Sequence, residues 1–94
     1  MAHIIVWHQV EDFDTWRSKF DEHGPKRAEL GSLGGKVYRS SDNSQEVVLV
    51  LEWDNEDNAR KFIASQDLAA VMADAGVTGQ PMVAFLNDGE AVPA

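Results

Sequence analysis

The sequence predicts an α+β fold in which one four-stranded antiparallel sheet carries its helices on a single face. Two observations lead to this prediction. Segments of strand type and segments with a helical spacing of apolar residues follow the order strand, helix, strand, strand, helix, strand. Three of the four strand segments are also apolar at consecutive positions, so both of their faces need cover.

The first strand and the first helix occupy the N-terminal third of the chain. Branched and aromatic residues over His3–Val10 predict the strand. Asp12 can cap the helix that follows, because its carboxylate can accept the free backbone N–H groups of the first turn. This helix places four residues on one side at spacings of three, four and three: Phe13, Trp16, Phe20 and His23.

Glycine and proline predict where this helix bends and ends. Gly24-Pro25 interrupts the pattern, because proline removes a helical donor and clashes with the preceding turn. Proline is tolerated in a first turn, so a kinked helix that continues to about Leu30 is expected. Gly31 supplies the stop, and Gly34-Gly35 predicts a turn beyond it.

The second half of the sequence repeats the pattern. Lys36–Ser40 and Glu46–Trp53 predict two strands joined by a polar hairpin loop. Asp54 is expected to cap the second helix and Ser65 to restart it. Its inward face consists of Ala59, Phe62, Ile63, Leu68, Ala69, Met72 and Ala75.

The last strand is predicted over Gly79–Leu86, after Gly76 ends the helix. Pro81 lacks a ladder donor, so it should lie at the start of that strand or at an edge. The complete order is that of a ferredoxin-like βαββαβ unit. The chain is expected to form one such domain over residues 1–94, with 87–94 as a flexible tail.

One face of this sheet lacks a cover. Val47–Leu51 is apolar at every position, and Ile4–Trp7 and Met82–Leu86 repeat the pattern. Two helices can shield only one face, so the sequence predicts a two-fold homodimer that pairs sheet against sheet. A monomer with a small apolar face is the alternative.

The charge balance excludes several classes of partner. The chain has 8 basic and 16 acidic residues, a formal net charge of -8, and no cysteine. Nucleic acids and anionic membranes would repel it, and a disulfide framework or a Cys-based zinc site is excluded. No apolar run spans a bilayer and no signal peptide is recognisable, so a cytoplasmic protein with a small-molecule ligand is expected.

Four segments, HQVEDFDTWRSKFDEH, GGKVYRS, VVLVLEWDNEDNARKFIASQDLAAVMADAGV and GQPMVAFL, resemble the antibiotic-biosynthesis-monooxygenase type of dimeric α/β barrel. The resemblance implies a homodimer whose two sheets form a barrel, with a ligand between helices and sheet in each subunit. The group includes cofactor-free oxygenases of aromatic substrates, haem-degrading enzymes and isomerases of small lactones. The haem-degrading branch carries a ligand histidine on the second helix, and residues 55–76 contain none.

Two histidines are the candidate catalytic residues. Strand parity puts His8 on the face of Ile4 and Val6, which is expected to meet the helices, and puts His3 on the opposite face. His23 would approach His8 from the first helix. An imidazole there titrates near neutrality and can move a proton, which suits enolisation or deprotonation of a phenol.

Other roles for these histidines stay open. Either side chain could hydrogen-bond a backbone carbonyl and simply fill volume. Two imidazoles and a carboxylate could also hold a metal, but no H-x-x-x-H spacing supports that, so neither a metal nor another cofactor is predicted.

The remaining candidates are substrate-binding residues. A hydrophobic pocket able to stack on a flat substrate would draw on Trp16, Phe20, Phe62 and Met72, with Trp53 beside them, although such residues also build ordinary cores. Tyr38 and Arg39 lie on opposite faces of the second strand, and one of the two could meet a substrate oxygen.

Two functional hypotheses follow. The first is an enzyme acting on a small aromatic or enolisable molecule, by the family resemblance a cofactor-independent monooxygenase. His8 or His23 would be its base, and Tyr38 or Arg39 would steady the developing negative charge. The second is a non-catalytic homodimeric module that binds a small hydrophobic metabolite.

Overall fold

A four-stranded antiparallel sheet forms the centre of the computed structural model, which describes residues 1–94. The strands are β1 (Ala2–Val10), β2 (Ser32–Arg39), β3 (Glu46–Trp53) and β4 (Val77–Leu86). They lie side by side in the order β2-β3-β1-β4, with every neighbouring pair antiparallel. The predicted ferredoxin-like arrangement is confirmed.

Each of the two predicted helices is a pair of shorter segments. The first pair is α1 (Phe13–Glu22) and α2 (Gly24–Leu30), and the second is α3 (Glu56–Ala64) and α4 (Gln66–Asp74). The breaks fall at the predicted places, because Pro25 lies in the first turn of α2 and the Ser65 side chain caps α4. No helix combines the length and the apolar character that crossing a membrane requires.

Two local predictions are wrong. The cap of α3 is Asn55, whose side chain accepts from the backbone N–H of Asn58 at 2.8 Å, whereas Asp54 precedes it and packs against Gly31. Gly34-Gly35 lies inside β2 rather than in a turn, since the strand already begins at Ser32. Glycine is needed at position 35 for another reason: a Cβ atom there would collide with the carbonyl oxygen of Val50 in the neighbouring strand.

The two faces of the sheet differ as predicted. His8 lies on the helix-covered side of β1 together with Ile4, Val6 and Val10, all of them buried. This side of the sheet and the inner faces of the helices build one hydrophobic core, in which Trp53 is fully buried. The prediction that His8 lies on the face covered by the helices is therefore confirmed.

The other face of the sheet has no cover within the chain. We call it the open face, and register assigns its apolar side chains to Ile5, Trp7, Tyr38, Val48, Val50, Met82, Ala84 and Leu86. Trp7 and Met82 are 45% and 55% exposed there. The prediction that the strands are apolar on both sides is confirmed. His3 lies on the same face and contacts Asp88, at 3.2 Å, in the segment after β4.

Candidate functional site

A cavity of about 230 Å³ lies between the sheet and the helices. Apolar side chains from β1, β3, β4 and the helices α1, α3 and α4 make up most of its wall, and the polar residues of the wall are His8, His23, Arg27 and Gln80. An apolar cavity of roughly 150 Å³ holds benzene, so this volume suits a compound of one or two rings. The site is therefore a small hydrophobic pocket with a few polar groups in its wall.

An irregularity in the sheet places His8 beside this cavity. Pairing of β1 with β4 is regular up to Trp7 and Met82 and resumes at Gln9 and Thr78, which leaves three residues of β4 opposite His8. Pro81, one of the three, cannot donate to the ladder. This bulge separates the strands locally, and its residues Gln80 and Pro81 become part of the cavity wall.

The imidazole of His8 is buried and has no hydrogen-bond partner. The residue is 5% exposed, and neither Nδ1 nor Nε2 finds a donor or acceptor in the chain. Its ring packs against Trp16 with the centroids 5.5 Å apart in an edge-on arrangement. Burial lowers the pKa of His8, so the ring is predominantly neutral at pH 7 and keeps a nitrogen lone pair without a partner.

The lowered pKa of His8 makes the free energy of unfolding depend on pH. The unfolded chain binds more protons than the folded one below about pH 6.5, so stability is lost as the pH falls and levels off below the folded pKa. We expect the wild type to lose more stability than His8→Gln between about pH 7.5 and 5, with a difference in slope of at most ~1.4 kcal/mol per pH unit. Urea unfolding measured across this range tests the difference, and parallel curves would contradict it.

His23 lies between α1 and α2, and backbone hydrogen bonds to both helices fix its position. Its backbone N–H donates to the Lys19 carbonyl at 3.1 Å, and its carbonyl accepts from the backbone of Arg27 at 3.1 Å. The side chain is 10% exposed, and its Nε2 lies 2.9 Å from an Asp67 carboxylate oxygen at the start of α4. His23 therefore bridges the two helix pairs at the cavity, and unlike His8 it has a partner.

Aromatic rings form two stacks in and behind the cavity wall. Trp16 stacks on Phe20 with the centroids 5.0 Å apart, and Phe62 packs on Trp53 at 4.8 Å. Met72 lines the same space from α4, while Trp53 supports Phe62 from behind without lining the cavity. The wall can thus present flat apolar surfaces to a flat ligand.

Arg27 is a site residue that the sequence analysis missed. It is 9% exposed, Nη1 donates to the Phe20 carbonyl at 2.7 Å, and the guanidinium lies 3.7 Å from the centre of the Phe20 ring. Its spacing of four residues from His23 and seven from Phe20 continues the inward stripe of the first helix across the kink. That spacing was the one sign in the sequence that Arg27 faces inward. An arginine in a short helix with proline in its first turn does not otherwise indicate burial.

Six of the eight predicted site residues line the cavity, namely His8, Trp16, Phe20, His23, Phe62 and Met72. Tyr38 and Arg39 do not. Tyr38 is 49% exposed on the open face, and the Arg39 guanidinium lies 4.0 Å from the centre of the Phe13 ring, outside the cavity. A role for either in steadying substrate charge gains no support from this placement.

Comparison with known proteins finds likeness in structure alone. No protein-family model matches the sequence, and no curated protein is similar to it in sequence. Many solved structures that share the fold are of the antibiotic biosynthesis monooxygenase type, the type that the sequence resembles. This resemblance is confirmed at the level of the fold.

Two of these structures cover nearly the whole chain. A presumed antibiotic biosynthesis monooxygenase from Bordetella bronchiseptica has a TM-score of 0.77 at 19% identity, over 95% of this chain and 97% of its own. SnoaB, a cofactor-independent oxygenase from Streptomyces nogalater, has a TM-score of 0.77 at 15% identity, over 99% and 97%. At these identities the similarity establishes the fold and leaves the reaction to be argued from the site.

Proposed function

We propose that this protein is an enzyme that removes a proton from a small aromatic or enolisable molecule bound in the cavity. The observation that carries the proposal is the unpartnered imidazole of His8. Buried polar groups normally have hydrogen-bond partners, so an unpartnered one in a residue that lines a cavity is a candidate to bond a ligand. The lowered pKa keeps this imidazole in the basic form at neutral pH.

The reaction we propose is oxygenation of the deprotonated ligand. A lone pair of His8 accepts the proton of a phenol or of a C–H group next to a carbonyl, which leaves an electron-rich carbon in the ring system. That carbon passes two electrons to O2 one at a time, since O2 is a triplet, and forms a C–O bond. The His8 imidazolium returns its proton to the peroxide, and loss of water from the resulting hydroperoxide leaves a carbonyl. For 1-naphthol the balance is naphthol plus O2 to 1,4-naphthoquinone plus water. The shared fold with a cofactor-independent oxygenase supports this chemistry.

The non-catalytic alternative rests on the apolar wall of the cavity. A pocket whose lining is mostly hydrophobic can bind a flat metabolite through burial and stacking without any chemistry. The unpartnered imidazole distinguishes the two functions, because a binding module has no need of a neutral base in its wall.

We also propose that two copies of the chain pair through their open faces. The central strands β1 and β3 carry Ile5, Trp7, Val48 and Val50 there, and no helix of the same chain covers them. Charged side chains lie at the ends of the two strands, with Glu46 beside the Trp7 indole that donates to it. An apolar centre with a polar rim is the composition of a protein interface, and a two-fold axis makes such a patch complementary to itself.

Oxygen uptake with 1-naphthol, a compound of two rings, tests the enzymatic proposal. It carries an acidic proton conjugated to an aromatic ring system and would gain one oxygen atom from O2. We expect saturable consumption of O2 above the rate without protein, and one labelled oxygen in the quinone when 18O2 is used. Saturable quenching of tryptophan fluorescence without any turnover would contradict the proposal and support the binding module.

A further inference from the structure

The charge of Arg27 is not balanced within the chain. The guanidinium is buried, and no carboxylate oxygen comes within 4.0 Å of it. Asp21 is the acidic residue whose charge acts on Arg27, but it is already paired with Arg17 at 3.0 Å. The one hydrogen bond, to the Phe20 carbonyl, and the Phe20 ring face leave most of the five donors of the guanidinium without a partner in the protein.

Such a cation is expensive to bury. Partial removal from water disfavours a charged group, and charges in such places are normally paired with an opposite charge. Arg27 is also the only side chain with a fixed charge in the cavity wall, since the remaining polar residues there are His8, His23 and Gln80. The cavity is therefore electrostatically suited to a ligand that brings the missing negative charge.

A second pocket adjoins the cavity at this cation. It has a volume of about 480 Å³ and shares Phe20, Arg27 and Leu51 with the cavity as a common wall. Its other lining residues include Lys36, which has no carboxylate partner, Arg17, which is paired with Asp21, and no acidic residue. In a chain with 16 acidic and 8 basic residues, this is a locally basic surface.

We propose that the ligand is an aromatic acid whose ring lies in the cavity and whose carboxylate binds Arg27 at the wall shared with the second pocket. The guanidinium fork matches the two oxygens of a carboxylate, and its stacking on Phe20 holds the plane of the fork in place. The basic surface of the second pocket also favours a negatively charged ligand. This inference rests on the proposed function, because it assigns a charge to the ligand of the same cavity.

Calorimetric titration with 2-naphthoate and its neutral isostere 2-naphthamide tests the inference. The two probes have the same ring system and differ in charge at one substituent. We expect the wild type to bind 2-naphthoate at least about tenfold more tightly, the usual effect of a charge-assisted hydrogen bond. In Arg27→Met this preference should fall to about twofold or less, while the affinity for 2-naphthamide changes little.

Arg60→Met is the matched control. Arg60 also stacks on a phenylalanine, with its guanidinium 4.2 Å from the centre of the Phe85 ring, but it lies outside both pockets. Its replacement should leave the preference for 2-naphthoate intact. Arg27→Lys retains the charge without the fork, so it should keep part of the preference, and it serves in place of Arg27→Met if that variant does not fold.

The outcomes separate this inference from the proposed function. Equal affinity of the wild type for both probes, or a preference that survives Arg27→Met, overturns the carboxylate site and leaves the aromatic cavity in place. If the wild type binds neither probe at millimolar concentration, the aromatic cavity and the carboxylate site both fail.

Discussion

His8→Ala is expected to lower kcat for the oxygenation of 1-naphthol by about 10²–10⁴, the usual contribution of a general base. The KM should change little, because the stacking surfaces of Trp16, Phe20 and Phe62 remain. The loss should therefore appear in kcat and in kcat/KM alike, as it does for an interaction that matters only in the transition state. Steady-state oxygen uptake measures it.

Two controls distinguish catalysis from a structural role. His3→Ala removes an imidazole from the opposite face of the same strand and should leave kcat unchanged. Imidazole added to His8→Ala should restore part of the lost rate, because the deleted ring leaves room for it beside the cavity. A variant with wild-type kcat and only a lower melting temperature would show that His8 fills space and does not accept the proton.

Val48→Asp is expected to convert the proposed dimer into a monomer. Val48 pairs with Trp7 at the centre of the open face, on the two inner strands of the sheet. A two-fold interface would contain two of the new carboxylates, and each loses several kcal/mol of hydration when it is buried. The dimer dissociation constant should rise at least ~10³-fold, since each factor of ten corresponds to about 1.4 kcal/mol.

Light scattering after size exclusion at micromolar concentration measures this change. The wild type should have twice the 10.4 kDa mass of the chain, and Val48→Asp should have the mass of one chain. Val92→Asp makes the same chemical change at a residue that is 84% exposed and outside the sheet, so it should stay dimeric. A wild type with the mass of one chain would refute pairing through the open face.

Much of the architecture was determined by the sequence, because it depends on local periodicity. A pattern within a few residues is enough to predict each strand, the kink at Gly24-Pro25 and the restart of the second helix at Ser65. Strand parity was enough to put His8 on the covered face and Trp7 on the open one. The aromatic wall of the cavity was predictable for the same reason, since Trp16, Phe20 and Phe62 fall on inward helical positions.

Other features required contacts between distant segments, which no local pattern contains. The sequence predicted a turn at Gly34-Gly35. In the structure Gly35 lies in β2, where the Val50 carbonyl of the neighbouring strand leaves no room for a side chain. The bulge that opens the sheet at His8 depends on the register of β1 against β4, which Pro81 indicated only in part. Tyr38 and Arg39 were assigned to a strand correctly, but the sequence did not determine how far that strand lies from the cavity.

The sequence by itself determined which elements form and which side chains share a face, because both are set by repeats of two and 3.6 residues along the chain. Only the tertiary structure decided that the His8 imidazole has no partner and that Arg27 is buried without a counter-charge. The hydrogen-bond partners and the burial of a side chain depend on which residues from distant segments of the chain pack around it. These are the two properties on which the proposed reaction and ligand depend.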